Sequence, residues 1–205
     1  MRPRNAPSSP PRSAGEVRII GGRWKRSKLA VPVSPGLRPT PDRVRETVFN
    51  WLGQDLTGWR CIDAFAGSGA LGFEAASRGA KEVCLIEADT GLARGLRANA
   101  ERLQADQVRV LTGDALAHMA RLEPGAWDVV FLDPPFDVAP LFERAIAQAS
   151  QLLAPTGYLY LEAPAPWTNE MLAPWHLVLR RQGKAGMVHY HLLERAGPSG
   201  DNPAP

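Results

Sequence analysis

Between residues 60 and 162 the chain alternates two kinds of hydrophobic pattern. Short continuous apolar runs at Arg60–Ala64, Glu82–Glu87, Gln107–Leu111, Trp127–Leu132 and Gly157–Glu162 predict buried strands. The stretches between them, Gly69–Arg78, Thr90–Leu103, Ala115–Leu122 and Ala139–Leu153, repeat their apolar positions at helical spacing. Strand–helix alternation of this kind implies a parallel sheet, because each parallel pair needs a crossover and the crossover helices cover both faces. At the end, Trp175–Arg181 and Ala185–Glu194 predict a hairpin that adds an antiparallel edge strand. Upstream, Val17–Ile20, Gly21-Gly22 and Trp24–Val33 predict a short β-hairpin, and Pro35-Gly36 a turn. Thr40 as N-cap and Pro41 at the first helical position then predict a helix, with Val44, Val48, Trp51 and Leu52 on one stripe and Arg43 and Arg45 off it.

This pattern divides the chain into a tail at 1–15, an N-terminal hairpin and helix extension at 16–52, an α/β body at 53–195 and a second tail at 196–205. Both tails are rich in Pro, Ser, Gly and Ala and are expected to be disordered. At 205 residues with 44% hydrophobic side chains, the body is large enough for a full core. No apolar run approaches the roughly 18 residues of a membrane span. The first 15 residues lack the apolar stretch of a secretory signal, so a cytoplasmic protein is expected. Cys61 and Cys84 fall inside predicted strands without metal or redox spacing and read as small core residues. His189 and His191 alternate in a strand and share a face, but no third ligand accompanies them, and no metal site is expected.

Charge changes the picture more than composition does. The first 45 residues carry nine Arg and two Lys against Glu16 and Asp42, a net +9, whereas the remainder carries 13 basic and 19 acidic residues, a net −6. The basic segment is interleaved with Trp24, Pro and Gly, a pattern suited to a polyanionic partner. Trp24 either stacks on a base or pins the hairpin to the body.

Candidate chemistry lies at the carboxyl ends of the predicted strands, where open α/β sheets bind ligands. Four successive strands end in Asp63, Glu87, Asp114 and Asp133. After the first comes Asp63-Ala-Phe-Ala-Gly-Ser-Gly-Ala-Leu-Gly72, a loop in which Gly67 and Gly69 permit tight turns and close approach of a ligand. No Gly-Lys-Ser/Thr is present, which argues against a nucleoside triphosphate. Glu87 is placed to accept ribose hydroxyls and Asp114 to accept from an adenine amino group. Acids on this edge would repel the phosphates of NAD and suit S-adenosylmethionine, with its sulfonium and ammonium. The fourth strand ends in Asp133-Pro-Pro-Phe136. Its prolines fix φ and carry no N–H, leaving the carboxylate and nearby carbonyls as acceptors for an exocyclic amine. Phe136 offers a face for a nucleobase, worth roughly 1–3 kcal/mol. Taken alone, the same four residues also describe an ordinary strand ending in a proline turn.

Together these motifs resemble a class I S-adenosylmethionine-dependent methyltransferase acting on an exocyclic amine. Val17-Arg-Ile-Ile-Gly-Gly-Arg-Trp24, Lys28-Leu29 and Gly36-Leu-Arg-Pro-Thr-Pro-Asp-Arg-Val-Arg-Glu-Thr-Val-Phe-Asn-Trp-Leu52 narrow the likeness to the RsmD-type 16S rRNA (guanine-966-N2)-methyltransferases, from about Val17 to about Arg195. The resemblance implies an α/β, Rossmann-like class I methyltransferase fold: a seven-stranded, mostly parallel sheet with helices on both faces, plus the small N-terminal hairpin and helix. It implies S-adenosylmethionine held by Asp63, Phe65, Gly67, Ser68, Gly69, Glu87, Asp114 and Ala115, and catalysis at Asp133, Pro134, Pro135 and Phe136. The implied partner is 16S rRNA in the 30S subunit or an assembly intermediate, met by a monomer. Arg18, Arg23, Lys25, Arg26 and Lys28 are the candidate RNA phosphate contacts. Arg38, Arg43 and Arg45 sit in the family block and either join them or order the cofactor or target loop. Two rivals share some of these features: an adenine-N6 DNA methyltransferase, and a non-catalytic ribosome-assembly factor that binds RNA. Against the first, 205 residues leave no room for a separate target-recognition domain. The intact acids and Gly-x-Gly oppose the second.

Overall fold

A computed structural model describes residues 13–32, 39–136 and 138–197. Most of both predicted tails, the turn at Pro35-Gly36 and Arg38 lie outside the described residues. Strands β1 (Ser13–Arg18) and β2 (Lys28–Pro32) form an antiparallel hairpin, followed by helix α1 (Asp42–Trp51). The body then runs β3 (Arg60–Asp63), α2 (Ala70–Ser77), β4 (Glu82–Glu87), α3 (Thr90–Leu103), β5 (Val108–Thr112), α4 (Ala115–Met119), β6 (Trp127–Leu132), α5 (Ala139–Leu152) and β7 (Leu153–Ala163). It closes with α6 (Asn169–Leu172), a single 3-10 turn (Ala173–Trp175), β8 (Leu177–Ala185) and β9 (Val188–Arg195).

The seven body strands form one sheet in the order β5-β4-β3-β6-β7-β9-β8. Strands β5 to β7 are parallel, and β9 runs antiparallel to both its neighbours. The chain starts at β3, moves outward to β5 and returns to β6, so the order reverses between β3 and β6. Such a reversal opens a crevice beyond the carboxyl ends of the two strands. Alternate strand residues feed two cores. Cys61, Leu85, Phe131 and Tyr160 pack on one face with α1, α2 and the hairpin. Ile62, Ile86, Val130 and Leu161 pack on the other with α4, α5 and α6. Cys61 and Cys84 are both buried. Among the described residues no helix is long and apolar enough to cross a membrane.

The hairpin has no core of its own. Val17, Ile19, Trp24, Leu29 and Val31 are buried in the same cluster as Phe49, Phe73 and Leu85. Backbone N–H groups of Ile20 and Gly21 donate to the Glu74 carboxylate on α2 at 2.8 and 2.7 Å. A Cβ on Gly22 would lie 1.8 Å from the Ser77 carbonyl oxygen, so this glycine permits the chain to lie directly on α2. Trp24 is buried and its N–H donates to Ser77 Oγ at 2.9 Å, so it pins the hairpin. The second strand begins at Lys28 rather than Trp24, because Gly22 and Arg26 hold φ near +70° and break the extended run.

Helix α1 departs from expectation in two ways. Its N-cap is Pro41, with no capping side chain, and the Thr40 hydroxyl reaches across the chain to donate to Glu162 at 3.0 Å. The buried stripe is Val44, Arg45, Val48, Phe49 and Leu52, which puts Arg45 inside the protein. His191 is also internal. Its Nε2 accepts from the Trp167 N–H at 3.1 Å, and Nδ1 donates to the Leu161 carbonyl at 3.2 Å, so the fold uses both ring nitrogens.

Candidate active site

Side-chain alternation decides where the strand-end acids point. Asp63, Glu87, Asp133 and Glu162 continue the set Cys61, Leu85, Phe131 and Tyr160, so all four share the sheet face covered by α1 and α2. Leu132 pairs with Leu161, which brings Asp133 level with Glu162 on the next strand. Neighbouring strands lie about 4.8 Å apart, so the two carboxyl groups are immediate neighbours.

Asp63 is buried, and its Oδ2 accepts from the Gly72 N–H of α2 at 3.0 Å. Burial pushes its carboxyl up to about 7, against that hydrogen bond and with help from the charges of Glu87 and Glu162. Glu87 is half-buried and braces the glycine loop: Oε2 accepts from Gly67 N–H at 2.7 Å and Oε1 from Asp89 N–H at 2.8 Å. Gly67 and Gly69 hold φ at +51° and +75°, the left-handed region that glycine enters without penalty. At Gly69 space is limiting as well: a Cβ there would lie 2.6 Å from Leu96 and 2.7 Å from Phe73. Ser68 is buried beside it and Phe65 half-buried. Asp114 is exposed and caps α4 through the Ala117 N–H at 2.8 Å, with Ala115 buried behind it. Asp63, Phe65, Gly67, Ser68, Gly69, Glu87, Asp114 and Ala115 thus lie along consecutive carboxyl ends of β3, β4 and β5.

Beyond β6, Pro134 is buried, Asp133 is half-buried, and Pro135 and Phe136 are exposed. The Phe136 ring lies 6.2 Å from that of Phe142 on α5, tilted 42° to it, and the residue is 38% exposed. Burial, then the nearby charges of Glu162 and Asp63, holds the Asp133 carboxyl well above the usual carboxylate range. Glu162 is raised too, chiefly by burial, although donors from Tyr160 and Thr40 oppose the shift. Both hydroxyls donate to its Oε1, at 2.9 and 3.0 Å. Sequence reasoning passed over Glu162 as a site residue. It closes a predicted strand just as the other acids do, and that rule applied once more would have found it. Its link to Thr40 spans 122 positions and has no local signature.

The basic residues separate into two groups. Arg18, Arg23, Lys25, Arg26 and Arg43 are exposed. Lys28 is exposed and pairs with Glu16 at 2.6 Å. Arg45 is a correction to the expected RNA contacts, since its guanidinium has no exposed surface with which to meet a phosphate. Instead it donates to the Arg18 carbonyl at 2.8 Å, the Thr40 carbonyl at 3.2 Å, Asp42 at 2.6 Å and Glu74 at 3.5 Å. It therefore ties together the hairpin, the segment before α1 and the helix that follows the glycine loop.

The model of the family Conserved hypothetical protein 95 matches residues 17–194. Ribosomal RNA small subunit methyltransferase D of Escherichia coli strain K12 is 42% identical over 183 residues, covering 89% of this chain and 91% of that protein. The protein of the same name from Haemophilus influenzae is 40% identical over 189 residues, covering 90% and 96%. Among solved structures, a putative methyltransferase yhhF from Escherichia coli superposes with a TM-score of 0.77 at 39% identity, covering 89% of this chain and 100% of that one.

Proposed function

We infer the function from a plain premise: the chain belongs to the Conserved hypothetical protein 95 family, with the small-subunit rRNA methyltransferases D among its relatives. It is an S-adenosylmethionine-dependent methyltransferase of small-subunit ribosomal RNA, acting on the exocyclic N2 amine of a guanine, position 966 by family resemblance. The observation that carries this reading is the placement of Asp133 and Pro134 beyond the sheet's reversal point, beside a glycine loop braced by Glu87.

The residues fit the cofactor. The edge presents carboxylates to accept from ribose hydroxyls and amino groups, and among the described residues no Lys or Arg bonds to Asp63, Glu87, Asp114 or Asp133 to neutralise them. Glu87 would hold the ribose, Asp114 the adenine amino group, and the loop from Phe65 to Gly69 the backbone contacts, with Asp63 supporting the loop's helix from beneath. When bound, S-adenosylmethionine supplies an electrophilic methyl carbon whose S–C bonding pair departs on sulfur as the new N–C bond forms.

Asp133 and the Pro134 carbonyl accept the two N–H groups of N2. That grip draws the nitrogen out of conjugation and directs its lone pair toward the methyl carbon. Positive charge develops on N2 beside carboxyl and carbonyl oxygens already oriented as acceptors, which is electrostatic preorganisation. The surplus proton leaves through Asp133 or water after transfer. Phe136 stacks on a base turned out of its surroundings. The exposed cations of the hairpin hold the RNA backbone. The partner is the 30S subunit or an assembly intermediate, met in the cytoplasm by a monomer.

The test offers labelled S-adenosylmethionine to unmodified 30S particles, free 16S rRNA and DNA, then maps the methyl group. Label on guanine N2 of the rRNA is expected. Asp133→Ala should bind the cofactor nearly normally and lose turnover. Label on DNA adenine, absence of cofactor binding, or full activity in that variant refutes the reading.

A further inference from the structure

We propose that Glu162 is a specificity-determining residue that accepts the N1–H of the target guanine, completing with Asp133 and Pro134 a set of acceptors that only a guanine edge satisfies. This rests on the guanine reading above and names what selects that base.

Guanine is the base whose amine lies beside a ring N–H, so its edge shows N1–H and N2–H donors side by side. Adenine and cytosine place an acceptor next to theirs. A site reading the guanine edge therefore needs a further acceptor beside the pair that grips the amine. Glu162 stands where that acceptor is required, because the Leu132–Leu161 pairing sets it one strand spacing from Asp133 on the same face. It is 95% buried, being 5% exposed. Tyr160 and Thr40 both donate to Oε1 and so fix the carboxylate's orientation. Among the described residues Oε2 has no partner. A buried acceptor oriented by two hydroxyls and left half-used is a poor structural strut, since one oxygen would have served. It is a good receptor for a donor that arrives with the substrate. An adenine in its place would set the N1 lone pair against that oxygen, a repulsion that no donor relieves. Sites built to bond a substrate N–H reject analogues lacking it by up to about 10⁴-fold or more.

The experiment compares 30S particles carrying guanine or 2-aminopurine at the target position. 2-Aminopurine keeps the N2 amine but turns N1 into an acceptor. The wild-type chain is expected to favour guanine in kcat/KM by roughly a hundredfold or more. Glu162→Gln keeps Oε1 for the two hydroxyls and presents an N–H₂ in place of Oε2, so it should bond N1 of 2-aminopurine. The guanine-to-2-aminopurine ratio should fall at least tenfold in that variant, with cofactor affinity unchanged. Comparing ratios between the two enzymes cancels the effect of the O6 that 2-aminopurine lacks. Thr40→Val, which loosens the carboxylate without altering it, should lower turnover on both substrates and keep the wild-type preference. An unchanged ratio in Glu162→Gln overturns the proposal. A wild type that methylates both particles equally overturns it without any variant. If the wild type methylates neither, the guanine reading beneath it falls.

Discussion

Arg45→Met tests whether a buried guanidinium, rather than the hairpin's own strand pairing, holds the N-terminal extension on the body. Methionine is close to arginine in helix propensity and fills much the same space, so the change chiefly removes polar bonds. The Asp42 partner is 63% exposed and contributes less than about 1 kcal/mol. Glu74 is fully buried, but it keeps donors from Ile20 N–H, Gly21 N–H and Arg78 Nε. Its loss thus stays below the roughly 3–5 kcal/mol of severing an otherwise unsupported buried pair. The carbonyls of Arg18 and Thr40 each lose a donor, at about 1 kcal/mol apiece. A destabilisation of about 3 kcal/mol follows. For a domain of this size each kcal/mol lowers Tm by about 2–4 °C, so a fall of roughly 6–12 °C is expected. Circular dichroism melts at pH 7 measure it, with Arg43→Met as the control. Arg43 is exposed two positions away, and its loss should change stability by no more than about 0.5 kcal/mol. An Arg45→Met protein that melts within about 2 °C of wild type refutes the reasoning.

Asp63, Asp133 and Glu162 all have raised carboxyl pKa values in the folded protein, Asp63 reaching about 7. The fold therefore binds more protons than the unfolded chain above about pH 4, and the contribution of these groups to stability declines as pH rises through 7. Asp133→Asn removes one of them, so in urea titrations its stability relative to wild type should increase from pH 5.5 to pH 8; a constant or shrinking difference contradicts the burial argument. Joint replacement of Arg23, Lys25 and Arg26 by Ala should reduce the salt slope of RNA binding by about 2, at roughly 0.7 per lost contact to single-stranded RNA. An unaltered slope would place the phosphates elsewhere.

Periodicity located the fold because its signals are local. Glu82–Glu87, Thr90–Leu103 and Trp127–Leu132 agree residue for residue with β4, α3 and β6, since each apolar pattern is bounded by charged or turn-forming residues. Helix α6 went unread: its four residues are too few to display a helical stripe. Arg45 illustrates a different failure. The stripe Val44, Arg45, Val48, Phe49, Leu52 is regular, but an arginine on it looks like its polar border until the partners are known. Those partners, Arg18 and Glu74, come from a strand and a helix that only the tertiary fold brings beside it. Thr40 has the chemistry of a cap, and the fold gives its hydroxyl a buried carboxylate instead. The candidate site divides along the same line. Acids at strand ends are visible from the chain, whereas which of them are neighbours depends on sheet order and register.

That order also gives the site its electrostatic character. Among the described residues the one fully buried arginine is Arg45, which is committed to Glu74, Asp42 and two carbonyls and donates nothing to the acids beyond β3, β6 and β7. Asp63 and Glu162 accept from hydroxyls and backbone N–H groups, which orient a carboxyl group without supplying a countercharge. An edge of acids with no countercharge among the described residues favours N–H donors and disfavours phosphate, while the exposed cations of the hairpin do the reverse. An RNA strand meeting both fields has one favourable arrangement. Under the function proposed above, its backbone would stay with the hairpin cations and a neutral base bearing donors would meet the acids. The same acids lower stability at neutral pH, so a substitution that relieves their mutual repulsion should raise stability while it costs turnover.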